Sequence, residues 1–325
     1  MSRCQMAFRG SLLISSLVLL GLLSIGPQAL AYDIQWGTAP IGGMWQPMGT
    51  AMLNDVLKAN PNLKGSTSPI GGAASLVAVN KGKLNACLSF STIALDAWEG
   101  VEYFKKYGKL TDIRALANLF PEPTQIAVRA DSDIKEVKDL KGKIITPATK
   151  GSLNDAVGQL VMRECGVPFS EMDVRYMDLN EAALQFVDGH INAIVYCAIA
   201  YPCPPIVNVS SQMKIRLISL PEDRVRKIAD KYKGLKPFTV KPGPYQGVDY
   251  EVRGVSADAI VAGSADMPND VAYAIAKSLY ENFDRYAEQF KAMRLGDREN
   301  MAKGLTIPIH PGAVKYYKEI GLAFD

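Results

Sequence analysis

The sequence has little of what metal sites and catalytic sites are usually built from. It contains 2 histidines and 5 cysteines among 325 residues, and no Cys-x-x-Cys pair. Because zinc sites rely on these two residue types, we predict no metal site. The Gly-x-Ser-x-Gly turn of hydrolases and the His-Glu-x-x-His helix of metalloproteases are also missing. We therefore predict a protein that is not an enzyme and that needs no cofactor.

Neither sign of charge is in excess. The chain has 36 Lys and Arg against 33 Asp and Glu, a net charge of +3. Nucleic-acid binding calls for a concentrated basic face, and none is visible, so we predict no nucleic-acid partner. Each histidine has a structural interpretation: we expect His190 in a solvated turn and His310 at the start of the last helix.

Long apolar runs are missing after the first 31 residues. Before that point, Arg3 and Arg9 precede an apolar run at 11–25, and small residues end the segment at Ala31. This pattern is typical of a secretory signal peptide, and we expect cleavage after Ala31. An uncleaved anchor is the alternative, but the run is shorter than the roughly 20 residues that a spanning helix needs. We expect the remaining 294 residues, counted as 325 minus 31, to work in the periplasm.

Four cysteines follow the predicted cleavage site: Cys87, Cys165, Cys197 and Cys203. In an oxidising compartment an even number permits disulfides. Cys197 and Cys203 are close enough in sequence to pair across a short loop, and we leave that pairing open. The other two lie in segments that read as buried.

Short apolar runs alternate with helical patterns along the chain, which favours α/β layers with mostly parallel sheets. A first series predicts strands at 34–36, 65–68, 84–90 and 113–119, and helices at 47–57 and 73–81. A second series predicts strands at 125–129, 143–146, 174–177, 193–196 and 215–220, and helices at 153–165 and 180–188. The end of the chain predicts a strand at 259–262 and helices at 268–286 and 311–320.

Two proline-rich passages separate these series. Residues 120–123 read Phe-Pro-Glu-Pro, and residues 236–247 form a loop rich in proline and glycine. We interpret them as crossings between two lobes. The predicted first lobe comprises 32–121 and 252–325, the second lobe comprises 122–251, and a ligand would lie in the cleft between them.

Three turns rich in small residues lie where a strand gives way to a helix. They occur at 37–49, 68–73 and 146–154. A helix start offers unpaired N–H groups and partial positive charge, which suits an anion. The first turn has the glycine spacing of a phosphate loop, but Gly43 and Met44 stand where that loop needs lysine and a hydroxyl. We therefore predict a smaller anion; the alternative is three ordinary tight turns.

The predicted ligand-binding residues come from these turns and from the presumed cleft. They are Thr38, Gly42, Gly43, Met44, Trp45, Gly71, Gly72, Ala73, Ser91, Gly151, Ser152, Leu153, Asn154, Tyr196 and Tyr245. Trp45 also has an interpretation as a core residue, and each tyrosine has one as packing. Glu122 is either a hydrogen-bonding group at the crossing or a ligand group.

The motifs in this order resemble the TAXI family, the solute receptors of TRAP transporters. The resemblance rests on the Gly-Gly-x-Trp-x-Pro-x-Gly turn at 42–49, on 114–122, on 139–143 with Gly151-Ser152, on the 242–245 loop and on 309–321. It implies a type II periplasmic binding fold. It also implies a receptor that delivers its solute to TRAP membrane permease subunits, and family ligands that are glutamate-like amino acids or related organic acids.

The sequence departs from the family pattern where polar or acidic groups could meet an amino group. These places are 73–75, 90–92 and 151–154. We therefore expect an anionic organic acid, a carboxylate or a sulfonate, and not an α-amino acid. A monomer is expected. A sensory adaptor for a membrane receptor kinase and a periplasmic enzyme on the same fold are the alternative functions.

Overall fold

The computed structural model describes residues 32–39 and 44–324. The predicted signal peptide, and Gly42 and Gly43 of the first turn, lie outside the described residues. Within the described ranges the chain forms 11 strands: β1 Asp33–Gly37, β2 Lys64–Ser68, β3 Ala86–Phe90, β4 Ile113–Pro123, β5 Gln125–Arg129, β6 Ile144–Thr146, β7 Asp173–Val174, β8 Ala193–Tyr196, β9 Ile215–Leu217, β10 Leu235–Val240 and β11 Val252–Ser264.

The same ranges contain 10 α-helices: α1 Trp45–Ala59, α2 Gly72–Asn80, α3 Ser91–Glu99, α4 Leu153–Glu164, α5 Leu179–Val187, α6 Pro204–Gln212, α7 Glu222–Lys231, α8 Asn269–Glu281, α9 Phe283–Gln289 and α10 Pro311–Glu319. None of the described helices is both long and apolar enough to cross a bilayer.

The strands form two mixed sheets. The first sheet has the order β10-β11-β3-β1-β2, with β4 also paired to β11. Its strands β1, β2 and β3 run parallel, so their carboxyl ends lie at one edge. The second sheet has the order β7-β6-β8-β5-β9, and β6 runs parallel to both β7 and β8. The predicted α/β fold class is confirmed, but the prediction of mostly parallel sheets was wrong, because β11 and β5 run antiparallel to every strand with which they pair.

The chain passes from the first sheet to the second at Thr124, between β4 and β5. The Thr124 backbone N–H and its hydroxyl both donate to the carbonyl oxygen of Val255 in β11, at 2.8 and 2.9 Å. The side chain of Thr124 is only 3% exposed. The crossing is therefore a buried, hydrogen-bonded segment.

Both predicted proline-rich passages differ in the structure. Residues 120–123 continue β4, with Pro121 and Pro123 opposite Asp258 and Ser256 of β11. Among the described strands, β4 pairs only with β11, and an edge strand tolerates residues that lack an N–H donor. The prediction of a loop at 236–247 was wrong for 236–240, because Leu235–Val240 is β10, whereas 241–247 form neither a helix nor a strand. β10 pairs with β11 in the first sheet although it lies within the predicted second lobe. The lobe boundaries stay a prediction.

Three helices were not predicted. α3 follows β3 without a spacer, so its residues read as a continuation of the strand. α6 begins with two prolines, a good helix start that we did not recognise in the sequence. α7 is mostly charged and buries only Val225 and Ile228. The single helix predicted at 268–286 is two helices, which meet at Asn282.

A contiguous apolar core reaches both sheets. Phe120 of β4 and Val255 of β11 belong to the same buried cluster as Ile126 of β5 and Val195 of β8. Accordingly, the chain from Tyr32 to Asp325 forms one compact unit. Full burial of such side chains stabilises the fold by about 1.5–3 kcal/mol each, so the core holds the two sheets together.

Glu164 at the end of α4 should add a further, pH-dependent link to α7. It accepts hydrogen bonds from Lys231 Nζ and Tyr232 Oη, each at 2.7 Å, and these bonds lower its pKa to about 2. We expect Glu164→Gln to lower the free energy of unfolding at pH 7 by about 1–2 kcal/mol, measured by urea denaturation.

The pH dependence follows from the lowered pKa of Glu164. Its contribution should be complete above its ordinary pKa of 4.5 and should disappear as the pH falls toward 2. Glu281→Gln, which removes an exposed i,i+4 pair with Lys277, is the matched control and should cost less than about 0.5 kcal/mol. Equal stability of both variants would contradict the prediction.

Candidate functional site

The first predicted turn lies where the parallel strands β1 and β2 end. The Thr38 N–H donates to the Ser68 carbonyl oxygen at 3.0 Å, and the Thr38 hydroxyl donates to the same oxygen at 3.2 Å. Thr38 is only 1% exposed. Thr38 therefore joins the first turn to the second. Because so little of its surface is exposed, its role is to support the two turns.

Trp45, the first residue of α1, connects the end of β3 to the crossing. Its ring contacts that of Phe90, with ring centroids 4.4 Å apart. Its indole Nε1 donates a hydrogen bond to Glu122 Oε1 at 2.9 Å. Trp45 and the preceding Met44 are half-buried against the core. Trp45 thus packs against the core and also supplies a polar contact at the crossing.

Glu122, near the end of β4, has a buried carboxyl group. Its side chain is 3% exposed, and Trp45 provides its one hydrogen bond from the described chain. No lysine, arginine or histidine of the described residues forms an ion pair with it. Burial raises the pKa of Glu122 to about 8, although the Trp45 bond lowers it somewhat. Glu122 is therefore mainly protonated and neutral at pH 7.

The second predicted turn opens α2. Gly71 precedes the helix in an extended conformation, and Gly72 has a φ of +60°, with no atom within 4 Å of the position that a Cβ would take. Ala73 is half-buried. The backbone at Gly72 thus has open space beside it, as a ligand-facing turn requires.

Ser91 has a different environment from the one that we predicted. It is fully buried, and its hydroxyl donates to the Gly234 carbonyl oxygen at 3.2 Å and accepts from the Asp258 N–H at 3.3 Å. Thr306 donates to the Ser91 carbonyl oxygen at 2.5 Å. Other segments of the chain therefore cover the start of α3.

The third predicted turn, before α4, already contains a carboxylate that sequence reasoning missed. Asp155 is 4% exposed, and its Oδ2 accepts from the Gly151 N–H at 2.8 Å. The Ser152 hydroxyl accepts from the Asp155 N–H at 3.3 Å. Asp155 thus occupies the Gly151 N–H that we had expected to face an anion. An acidic residue in a first helical turn is a common signal of this arrangement.

Two further predicted residues of that turn, Leu153 and Asn154, pack inward, whereas Gly151 is exposed. Asn154 is buried, and its Oδ1 accepts from the Ala198 N–H at 3.1 Å, which joins the start of α4 to the loop after β8. Leu153 is half-buried against the core. Gly151 has a φ of +78° and open space beside its Cα.

The two predicted wall tyrosines are core residues. Tyr196 is fully buried, and its hydroxyl has no partner in the described chain. Tyr245 is 2% exposed; it donates to Gln125 Oε1 at 2.5 Å and accepts from the Cys203 N–H at 2.6 Å. Burial raises the pKa of both tyrosines well above the ordinary value. The packing alternative thus fits both residues.

Polar groups from both sheets meet at the crossing, in a set that we call the crossing cluster: Trp45, Glu122, Gln125, Cys203 and Tyr245. Its hydrogen bonds form two sets, one between Trp45 and Glu122 and one that joins Tyr245 to Gln125 and Cys203. Burial, with a smaller contribution from the Glu122 charge, raises the pKa of Cys203 to about 12. Gln125 was missed by sequence reasoning, although one polar residue in the apolar run Gln-Ile-Ala-Val was the available signal.

The His, Cys, Asp and Glu side chains of the described residues do not cluster as a metal site requires. Within residues 32–39 and 44–324, no three His, Cys, Asp or Glu side chains form a metal-binding group. The four cysteines are free thiols, so the pairing of Cys197 with Cys203 is not formed. His190 is exposed in a turn. His310 caps α10, where its Nδ1 accepts from the Gly312 N–H at 3.1 Å. Both histidine predictions are confirmed.

Comparison with known protein families shows to which of them this chain belongs. The model of the NMT1-like family matches residues 36–321, most of the chain. The chain belongs to the NMT1-like family. The matched region includes the whole crossing cluster and all three predicted turns.

Solved structures similar to this NMT1-like chain include three solute-binding or transport proteins. One is the alkanesulfonate-binding protein SsuA from Xanthomonas axonopodis pv. citri bound to MOPS, with 15% identity and a TM-score of 0.49 over 90% of this chain and 80% of that chain. Another is a TctC solute-binding protein from Polaromonas, with 18% identity and a TM-score of 0.49 over 83% and 89%. The third is a putative L-cystine ABC transporter protein from Listeria monocytogenes, with 15% identity and a TM-score of 0.48 over 82% and 99%.

The crossing cluster of this NMT1-like chain should depend on the Tyr245 hydroxyl. Tyr245→Phe leaves the buried Gln125 Oε1 and the Cys203 N–H without that partner. Since each unpaired buried group costs about 1–3 kcal/mol, we expect the free energy of unfolding to fall by about 3 kcal/mol in urea denaturation. Tyr273→Phe, which removes a surface bond to Glu319, should cost less than about 0.5 kcal/mol. A Tyr245→Phe variant as stable as that control would contradict the prediction.

Proposed function

We propose that this chain is a periplasmic solute receptor that captures a small anionic organic acid and delivers it to a TRAP-type transporter. The observation that carries the proposal is the crossing cluster, in which Glu122 at the end of β4 accepts a hydrogen bond from Trp45 of α1 and Gln125 at the start of β5 accepts one from Tyr245. Ligand sites often lie where two parts of a fold meet and a few polar groups converge. A solute bound there would touch both sheets.

The chemistry of the site favours an acid over an amino acid. At pH 7 the neutral Glu122 carboxyl has no charge with which to pair an ammonium group. The open glycine turn before α2 leaves N–H groups at a helix start, which favour anions. The ligand on this proposal is a carboxylate or a sulfonate, held mainly by N–H and neutral hydrogen-bonding groups.

The transporter class rests on the sequence resemblance to the TAXI family, and the periplasmic location rests on the predicted signal peptide. Both are parts of the proposal. Binding energy realised only when both sheets contact the solute would favour the closed state of such a receptor. A permease would then receive the loaded form.

The first experiment is calorimetric titration of residues 32–325 with succinate, 2-oxoglutarate, ethanesulfonate and L-glutamate. The proposal expects binding of at least one of the first three acids and weaker binding of glutamate. Tight glutamate binding with no response to the other three would overturn the ligand class. No binding of any of the four, with no small acid found by mass spectrometry after native purification, would overturn the receptor function.

A carboxylate placed at the start of α2 should compete with the bound acid. Ala73→Glu is compatible with folding, because an acidic residue in a first helical turn is favourable. Repulsion at a few ångströms should nevertheless weaken binding of the best acid by about tenfold or more, measured by the same titration.

Ala74→Glu is the matched control, since it adds the same charge one position later at an exposed residue. It should change affinity by less than about threefold. If Ala73→Glu binds the acid as well as the wild type does, the start of α2 is not part of the site.

A further inference from the structure

A short 3-10 helix after α3, Glu102–Lys106, presents two tyrosine rings to solvent. Tyr103 is 45% exposed and Tyr107, the next residue after the helix, is 37% exposed. Phe104 between them is buried in the apolar cluster that includes residues of α2 and α3, so it anchors the segment on the protein. The centroids of the Tyr103 and Tyr107 rings are 5.8 Å apart, and the two rings form one exposed aromatic surface.

Lysines border this aromatic surface. Lys106 Nζ lies 4.8 Å from the centroid of the Tyr103 ring and 4.9 Å from that of the Tyr107 ring. Lys81, which directly follows α2, places its Nζ 5.5 Å from the centroid of the Tyr107 ring. Contacts of this kind hold an ammonium group beside an aromatic face. We call Lys81, Tyr103, Lys106 and Tyr107 the tyrosine-lysine patch.

No carboxylate of the described residues neutralises the lysines of the patch. Neither Lys81 nor Lys106 forms an ion pair within the part of the chain that the structure describes. Hydrogen bonds with Tyr103 and Lys106, and the charges of Lys106 and Lys81, lower the pKa of Tyr107, and no acidic residue contributes to this change. The tyrosine rings are therefore surrounded by positive charge.

The glutamates nearest in sequence act on another group. Burial, with smaller contributions from the Glu102 and Glu99 charges, raises the pKa of Asp96 in α3 to about 6. Two more lysines, Lys105 and Lys109, are exposed next to the patch, and they too have no ion pair with a described residue. Positive charge thus predominates on this surface.

A second surface with tyrosine and lysine, on α8 and α10, carries its own counter-charges. Lys315 Nζ lies 5.5 Å from the centroid of the Tyr273 ring. There the Tyr273 hydroxyl donates to Glu319 Oε2 at 2.9 Å, and Lys277 forms an ion pair with Glu281 at 2.9 Å. The tyrosine-lysine patch has no such glutamates, so its charge is left for a partner outside the chain.

Exposed tyrosines beside unpaired lysines fit an anionic lipid surface. Tyrosine is enriched at membrane–water interfaces, because its ring is apolar and its hydroxyl stays hydrated. Lysines near anionic headgroups each strengthen binding. A stable protein–protein interface buries about 800 Å² on each partner, more than two tyrosines and two lysines offer. A lipid surface is therefore the partner that so small a patch suits best.

We infer that the tyrosine-lysine patch is a docking surface for anionic phospholipid headgroups and holds this chain at a membrane surface. The inference goes beyond the proposed function, since it requires neither a particular solute nor a particular transporter. A receptor held in this way would be concentrated where a membrane permease lies.

The test is co-sedimentation of residues 32–325 with vesicles. This part of the chain forms one compact unit, and it omits the apolar run at 11–25, which would itself favour lipid. Vesicles of phosphatidylglycerol and phosphatidylcholine in about equal amounts are compared with vesicles of phosphatidylcholine alone, in about 0.1 M salt. The wild type should bind the anionic vesicles at least about tenfold more strongly, and about 0.5 M salt should reduce this difference.

Paired variants show whether the patch is responsible. Lys81→Ala combined with Lys106→Ala should weaken binding to the anionic vesicles by about twentyfold, since each lysine contributes about fivefold. Lys277→Ala combined with Lys315→Ala is the matched control, because it removes the same charge from the surface on α8 and α10. It should change binding by less than about twofold. All four side chains are exposed, and urea denaturation should give the wild-type midpoint for both variants.

Four results would overturn the inference. They are equal binding of the wild type to both kinds of vesicle, no binding to either kind, unchanged binding by the Lys81 and Lys106 double variant, and an equal loss in the control. If the wild type binds no vesicles but binds poly-L-glutamate through Lys81 and Lys106, the patch serves an acidic protein surface and the lipid inference fails. Vesicle binding by the wild type does not depend on solute binding, so the receptor proposal stands or fails separately.

Discussion

The structure depends on satisfying polar groups that are buried where the chain crosses between its two sheets. Glu122, Thr124 and Gln125 are all 3% exposed or less, so each needs a hydrogen-bond partner inside the protein. Trp45 supplies one to Glu122, and Tyr245 supplies one to Gln125. These partners come from the first helix and from the loop between β10 and β11, far away in sequence. The crossing thus fixes how distant parts of the chain come together.

The same crossing lies within a core that both sheets share. Phe120 before it and Ile126 after it belong to one apolar cluster, so the polar contacts are surrounded by packed side chains. In such surroundings an ionised group is costly, which is why the Glu122 carboxyl stays neutral at pH 7. Packing, hydrogen bonding and the proposed acid chemistry therefore have one physical origin, the burial of this segment.

Sequence patterns located most elements but placed the site only in part. Apolar alternation found the strands whose runs are bounded by turns, while α3 was missed because it follows β3 without a break. The predicted turns at Thr38 and Gly72 do lie at strand ends, and Gly72 has open space beside it. The third turn was misread, since nothing in its glycine and serine pattern says that Asp155 folds back onto the Gly151 N–H.

The sequence by itself determined the α/β class, the scarcity of metal-binding residues and the three strand-to-helix turns, because these follow from local composition and periodicity. It did not decide whether Glu122 is a hydrogen-bonding group at the crossing or a ligand group. It also did not decide whether Tyr196 and Tyr245 line the cleft or pack in the core. Only the tertiary structure decided that both tyrosines are buried and that Glu122 meets Trp45, 77 residues away in sequence. Such contacts depend on which strands pair and on how deeply the crossing is buried, and no local pattern encodes either.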